Sequence, residues 1–205
     1  MIPALLISLL AATPEPRTTG GAAAPAALPA GTNALYGFVG APEVAVGYRQ
    51  GFGVLELDGR ASFNLFKVSF IGDVALKFPV YQRQGLRLAP LLSLGVEFNT
   101  GATYFDLTNF DFIGLRPRVG FLASYAFTET ISGVAQLDLP VSVALTTRGF
   151  VVTPTVGVGA EFHLGGGFSL LLAGLVGFEA TQEARNPTFY RAAWGARLGV
   201  GYRLF

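Results

Sequence analysis

The sequence predicts an all-β fold: a closed antiparallel up-and-down transmembrane β-barrel of eight to ten strands, ten favoured, preceded by a signal peptide and a short linker. Three observations carry this expectation. Only 13% of the 205 residues are charged while 51% are apolar and the mean hydropathy is +0.50; an ordinary soluble domain carries about 25% charge. Beyond the amino terminus no window reaches 18 uncharged apolar residues, so the chain offers no spanning helix. From residue 43 onward, apolar residues exchange with small or polar ones at a period of two, the strand signature. Only helices and closed barrels satisfy every backbone group inside hydrocarbon, so an apolar chain without spanning helices must close into a barrel.

The same composition excludes several function classes. With 14 Lys plus Arg against 13 Asp plus Glu the formal net charge is +1, which gives no electrostatic footing for nucleic acid. Cysteine is absent, which removes disulfides, thiolate metal sites and a cysteine nucleophile. A chain this apolar, with 27 Gly and 18 Phe, is not a disordered one.

Taken in order, residues 1–26 read as a signal peptide and processing region. The run 4–12, Ala-Leu-Leu-Ile-Ser-Leu-Leu-Ala-Ala, has the length of a signal-peptide apolar core and about half the roughly 20 residues a spanning helix needs. No Lys or Arg precedes it, and a frayed apolar terminus is the alternative. Cleavage after Ala12 or after Ala26 leaves a small residue at the last position in both cases, and the choice stays open. The Pro-, Ala-, Gly- and Thr-rich stretch that follows cannot bury a core; residues 27–33 are assigned to a linker and 34–205 to the barrel.

Strands are expected at 43–49, 54–63, 68–81, 86–99, 115–127, 131–145, 150–164, 168–180 and 190–204. A short first strand at 32–40 brings the number to ten, and an even count follows if both chain ends lie on one rim. Within the strands Leu86, Leu88, Leu92, Leu94, Val96 and Phe98 oppose Arg87, Ala89, Ser93, Gly95, Glu97 and Asn99, and the same opposition repeats along the chain. All strand charges fall on the small-polar phase, eight acids (Glu43, Glu56, Asp58, Asp73, Glu97, Asp138, Glu161, Glu179) and nine bases. A register slip would turn them toward lipid at about 2–4 kcal/mol for each basic residue near the midplane. The bulky apolar face is therefore the outside, the reverse of a soluble lipocalin-like binding barrel.

The lumen of so narrow a barrel is just wide enough for its own side chains. Glu56, Asp58, Arg60, Asp73, Lys77, Arg87, Glu97, Arg118, Asp138, Glu161 and Arg197 are the candidate lumen ion-pair network. Either it holds the lumen shut or it lines a narrow channel for small solutes. His163 is the single histidine and sits beside the turn at Gly165, at the end opposite that expected of a lipid-modifying outer-membrane enzyme, so no catalytic residue is nominated. One His and no Cys leave no metal centre, and the glycine pairs open no helix, so no cofactor is expected.

Short breaks at 50–53, 82–85, 128–130 and 165–167 alternate with longer ones at 100–114 and 181–189, placing turns on one rim and loops on the other. Tyr48, Tyr81, Tyr125 and Tyr202 lie near the short turns, whereas Tyr104, Tyr190 and Trp194 mark the other rim, as interfacial belts would. The last strand, Arg197-Leu198-Gly199-Val200-Gly201-Tyr202-Arg203-Leu204, ends in Phe205. Over residues 34–205 the chain resembles the small bacterial outer-membrane β-barrels, and Arg197, Gly199, Tyr202, Leu204 and Phe205 resemble their insertion signal. Arg203 and Gly201 occupy positions that are usually apolar, a shift of one residue. The resemblance implies a Gram-negative outer membrane, with short turns in the periplasm. It implies as partners outer-membrane lipid and the barrel-assembly machinery, and no nucleic acid. Loop 100–114, with Tyr104, Phe105, Phe110 and Phe112 around Asp106 and Asp111, either meets an extracellular partner or folds onto the rim. The implied task is structural or surface-interacting; a narrow channel, a lipid-modifying enzyme and a soluble binding barrel are the alternatives, in that order.

Overall fold

The computed structural model describes residues 22–23, 27–105, 108–184 and 188–204. It contains β1 (Asn33–Ala41), β2 (Glu43–Gly51), β3 (Glu56–Asn64), β4 (Ser69–Lys77), β5 (Tyr81–Arg83), β6 (Leu86–Thr100), β7 (Asp111–Ala126), β8 (Ile131–Ala144), β9 (Gly149–Val152), β10 (Thr155–Gly165), β11 (Phe168–Glu183) and β12 (Phe189–Leu204). Each pairs antiparallel with its neighbour, and β1 pairs with β12 from Asn33↔Leu204 to Ala41↔Ala196, which closes the sheet. β4 and β5 occupy one position in the wall, as do β9 and β10, so the result is a closed ten-stranded barrel. No edge is left to template aggregation.

Two of the expected strands are broken, and both breaks carry a proline. The expected 68–81 stops at Lys77 and resumes at Tyr81 around Pro79; 150–164 divides at Thr153 and Pro154. Proline has no N–H to give the ladder. The wall stays continuous because Phe78 and Val80 still donate to Pro90 and Leu88, at 3.0 Å each, and Thr153 donates to Pro140 at 3.1 Å. Elsewhere strands run further than expected. β7 begins at Asp111 because Asp111↔Thr100 extends its pairing with β6, and β11 reaches Glu183 through pairing with β9. The loops shrink correspondingly to 101–110 and 184–188.

The rim that holds both strand termini, called near, carries the connections 52–55, 84–85, 127–130 and 166–167; the far rim carries Pro42, 65–68, 101–110, 145–148 and 184–188. Two near-rim hairpins are two-residue turns with left-handed backbone. Gln84 and Gly85 have φ of 51° and 79°, and Gly166 and Gly167 have 58° and 84°. This twist matches that of the strands they join, and glycine adopts it without cost.

Side chains alternate as the period requires. Leu94 is 58% exposed and Val158 65%, while Glu56 and Glu161 are fully buried. Val46, Val74, Leu92, Leu137, Leu172, Val176, Leu198 and Val200 continue the exposed apolar belt around the wall. The interior departs from the sequence reading in one respect: it is not uniformly small and polar. Leu91, Leu122, Val134 and Leu171 point inward in the near half, and Phe110, Phe112 and Val151 do so at the far end.

Candidate functional site: the barrel interior

In the near half the interior is tightly filled. Arg49 on β2, Glu56 and Asp58 on β3, Lys77 on β4 and Tyr36 on β1 all sit on the inward phase at neighbouring registers. Arg49 Nε meets Glu56 Oε1 at 2.7 Å and Lys77 Nζ bridges Glu56 at 2.8 Å and Asp58 at 2.6 Å. The Tyr36 hydroxyl donates to Asp58 at 2.8 Å.

The space left over is filled by the residues that precede β1. Ala22, Ala27 and Leu28 are at most 2% exposed. Ala27 packs with Ala75, Ala89, Leu91 and Leu122, and Ala22 and Leu28 with Ala34. Their backbone is tied to the same charges. Leu28 N–H donates to Glu56, Ala23 N–H donates to Glu161 at 2.8 Å, and Arg49 Nη1 donates to the Ala22 carbonyl at 3.2 Å. Residues 27–29, assigned to a linker on composition, thus lie inside the barrel, because an Ala-rich segment fits a lumen that larger side chains would overfill. A cavity of about 80 Å³ remains among Tyr36, Asp58, Lys77, Leu91 and Arg118.

A band of ion pairs crosses the middle. Arg60 meets Asp73 at 2.8 Å, and Arg118 meets Asp138 at 2.6 Å and Asp73 at 3.8 Å. Beyond it the far half opens into a vestibule of about 500 Å³. Here Arg197 pairs with Glu43 at 2.9 Å and lies over the Phe38 ring at 4.7 Å, a cation–π contact. Arg116 approaches Glu97 at 3.5 Å, Ser142 donates to Glu97, and Glu179 receives both Lys67 and Arg191. Burial pushes the ammonium of Lys67, in the 65–68 loop, down from the usual lysine range, against the pull of Glu179.

Of the eleven nominated residues, Glu56, Asp58, Arg60, Asp73, Lys77, Glu97, Arg118, Asp138 and Arg197 have ion-pair partners across the interior. Glu161 receives the Ala23 amide, and Arg87 lies at the near rim opposite Gln82 and Ser124. Glu43, Arg49, Arg116, Glu179 and Arg191 belong to the same set; their phase placed them there, although they were not nominated. Lys67 and Tyr36 gave no such signal, the first being in a turn and the second a bulky residue facing in. Arg197, Gly199, Tyr202 and Leu204 all lie on β12, with Tyr202 stacked on Phe168 at 4.5 Å; Phe205 lies outside the described residues, as do residues 1–21, Ala26 and Asp106.

His163 Nε2 is 3.2 Å from Ser132 Oγ at the near rim. Among the described residues no carboxylate orients the other face of that ring, so the contact lacks the third member of a nucleophile-activating set. Among the described residues no cluster of His, Asp or Glu could hold a metal. The 101–110 loop divides. Asn109 ties inward to Asn99, Lys67 and Ala102, and Phe110 packs on Phe112 at 4.9 Å; Tyr104 is 72% exposed, and Phe105 sits edge-on to Phe66 at 4.7 Å.

No protein-family model and no curated protein sequence matches the chain. Among solved structures it is similar to a bacterial polysaccharide outer-membrane secretin (13% identity over 82% of this chain and 58% of that one, TM-score 0.47). It is also similar to the NanC porin (10% identity, 84% and 100%, TM-score 0.46) and to the KdgM porin in complex with disordered oligogalacturonate (10%, 85% and 99%, TM-score 0.44). The chain spans little more than half of the secretin chain, and at these values the likeness does not extend to what any of these proteins carries or binds. The chain is a small closed β-barrel with an apolar outside and a charged interior.

Proposed function

We propose that the protein is an integral outer-membrane barrel, structural or surface-interacting and non-enzymatic, whose lumen is closed in its near half and opens outward through the far vestibule. The observation that carries this reading is the inverted polarity of the wall. Large aliphatic and aromatic side chains face outward around the circumference while the strand charges face in, except Arg83 and Asp111 at the two rims, an arrangement stable only when hydrocarbon surrounds the barrel. Both strand termini and the short turns then lie at the periplasmic rim, and the 101–110 loop lies outside. Outer-membrane lipid is the surrounding solvent, and the barrel-assembly machinery, reading β12, is the expected insertion partner.

Membrane fractionation and gel mobility test the location: the protein is expected in the outer-membrane fraction and to migrate differently before and after boiling, because a closed sheet resists detergent. Recovery in the soluble fraction without detergent overturns it. Planar-bilayer recording tests the lumen, with no steady conductance expected from the intact protein. A stable open level carried by the wild type would make the vestibule the mouth of a channel.

A further inference from the structure

We infer that residues 22–23 and 27–29 belong to a built-in plug of the near mouth, and that the mature chain therefore retains Ala22, which selects Ala12 over Ala26 as the point where a leader peptidase cuts. The inference deepens the closed-lumen reading and rests on it. Three independent features of the barrel are shaped to this segment. The first is apolar: the inward side chains Ala75, Ala89, Leu91 and Leu122 leave a hollow that Ala27 fills. The second is polar: Glu56 and Glu161, both fully buried, accept the amides of Leu28 and Ala23, while Arg49 donates to the carbonyl of Ala22. The third is the absence of side chains where the segment passes. A Cβ on Gly201 of β12 would stand 2.6 Å from the Ala23 nitrogen and 2.7 Å from Ala22 carbon atoms, and one on Gly51 of β2 would stand 2.2 Å from the Pro29 oxygen. Contacts that close do not occur between real atoms, so both walls keep glycine where the segment lies against them.

A cut after Ala26 would undo this arrangement. Hydrolysis consumes one water and leaves a carboxylate on the leader and an α-ammonium on the mature chain. At Ala27 that ammonium would form inside an apolar cluster, one residue before the Leu28 amide that Glu56 accepts together with Arg49 and Lys77. The same cut would remove the Ala22 carbonyl from Arg49 and the Ala23 amide from Glu161. A cut after Ala12 creates the ammonium at Thr13 and leaves every one of these contacts in place.

Intact-mass measurement of protein extracted from outer membranes tests the cut. A chain beginning at Thr13 is expected; one beginning at Ala27 overturns the plug, and an uncut chain overturns the cleavage while leaving the plug. Thiol labelling tests the plug itself, on a background that has no cysteine. In the folded full-length barrel, Ala27→Cys is expected to react with a water-soluble maleimide about a hundredfold more slowly than Tyr104→Cys on the exposed loop. Leu28→Asp, which sets a carboxylate in the apolar contact with Ala22 and Ala34 and leaves every strand residue unchanged, is expected to expel the segment, restore fast labelling and open a conductance. Equal labelling of Ala27→Cys and Tyr104→Cys overturns the plug, as does persistence of both protection and closure in Leu28→Asp. A wild-type barrel that conducts while Ala27→Cys stays protected overturns the closed lumen and leaves the plug as a lining.

Discussion

In the near half of the interior, the carboxylate of Glu56 holds two cations and a backbone amide, and its ion pairs are 0–3% exposed. In the far half, the Arg191–Glu179 and Arg197–Glu43 pairs run from 7% to 24% exposed, and Arg116 stands 3.5 Å from Glu97. The same ten strands line both halves, so the wall alone does not set this difference. What differs is the filling. The segment before β1 and four inward aliphatic residues take up space in the near half, and the charges of Arg49, Glu56, Asp58 and Lys77 find their partners in protein. The vestibule leaves room for water, which solvates imperfect pairs and tolerates spacing that a tightly filled interior would not.

The most disruptive way to break this contrast is to neutralise a fully buried charge. Glu56→Gln leaves Arg49 and Lys77 facing each other in a site 0–3% exposed, and breaking a buried pair in this way costs about 3–5 kcal/mol. Urea titration of the detergent-folded barrel, read by the heat-modifiable gel band, should show that loss. A midpoint equal to that of the wild type would mean that water reaches Glu56.

A second contrast, outside against inside, is sharpened by two adjacent residues. Leu94→Arg sets a cation on the exposed belt near mid-strand and should cost about 2–4 kcal/mol in a bilayer. Ser93→Asp points a carboxylate into the interior instead, opposite its register partner Arg118 on β7. Its cost is expected to be smaller, because the interior supplies a counter-charge that hydrocarbon does not. If both positions lose folded protein equally in lipid vesicles, the outside is not in hydrocarbon.

The division into outside and inside was legible in the sequence because a period of two is a local signal: every strand charge announces its face, and Leu94 and Ser93 need no tertiary information. The strand breaks were half legible, since Pro79 and Pro154 were visible but the alternation ran through them. The filling was not legible. Leu91, Leu122 and Leu171 obey the inward phase, but their apolar character matters only because Ala27 and its neighbours come to meet them. Residues 22–29 have no period at all, and a small, Pro-rich composition is as suitable for a linker as for a plug. Tyr36 escaped for a similar reason: its inward hydroxyl is explained by Asp58, two strands away.

Smaller effects are expected in the vestibule. Glu43→Gln removes the carboxylate that pairs with Arg197, yet the guanidinium keeps the Phe38 ring and gains water from the open space, so the cost should fall to about 1 kcal/mol. The same urea titration that reads Glu56→Gln measures it, and a loss as large as that of Glu56→Gln would show that the vestibule is as tightly filled as the near half.

At the outer limit of this gradient lies Tyr104. Its amide donates to the Phe66 carbonyl at 3.2 Å, a backbone bond that alanine preserves, and its ring is 72% exposed. Nothing in the folding of the barrel depends on that ring, so Tyr104→Ala should leave stability within about 0.5 kcal/mol of wild type. Phe105 differs by one residue and by one contact, its edge-on packing against Phe66, which in turn lies 6.0 Å from Trp194. Phe105→Ala should therefore cost measurably more than Tyr104→Ala, about 1 kcal/mol for the aromatic pair. Were the order reversed, the loop would be held to the rim by Tyr104 and the outward face of the vestibule would lie one residue earlier in the chain.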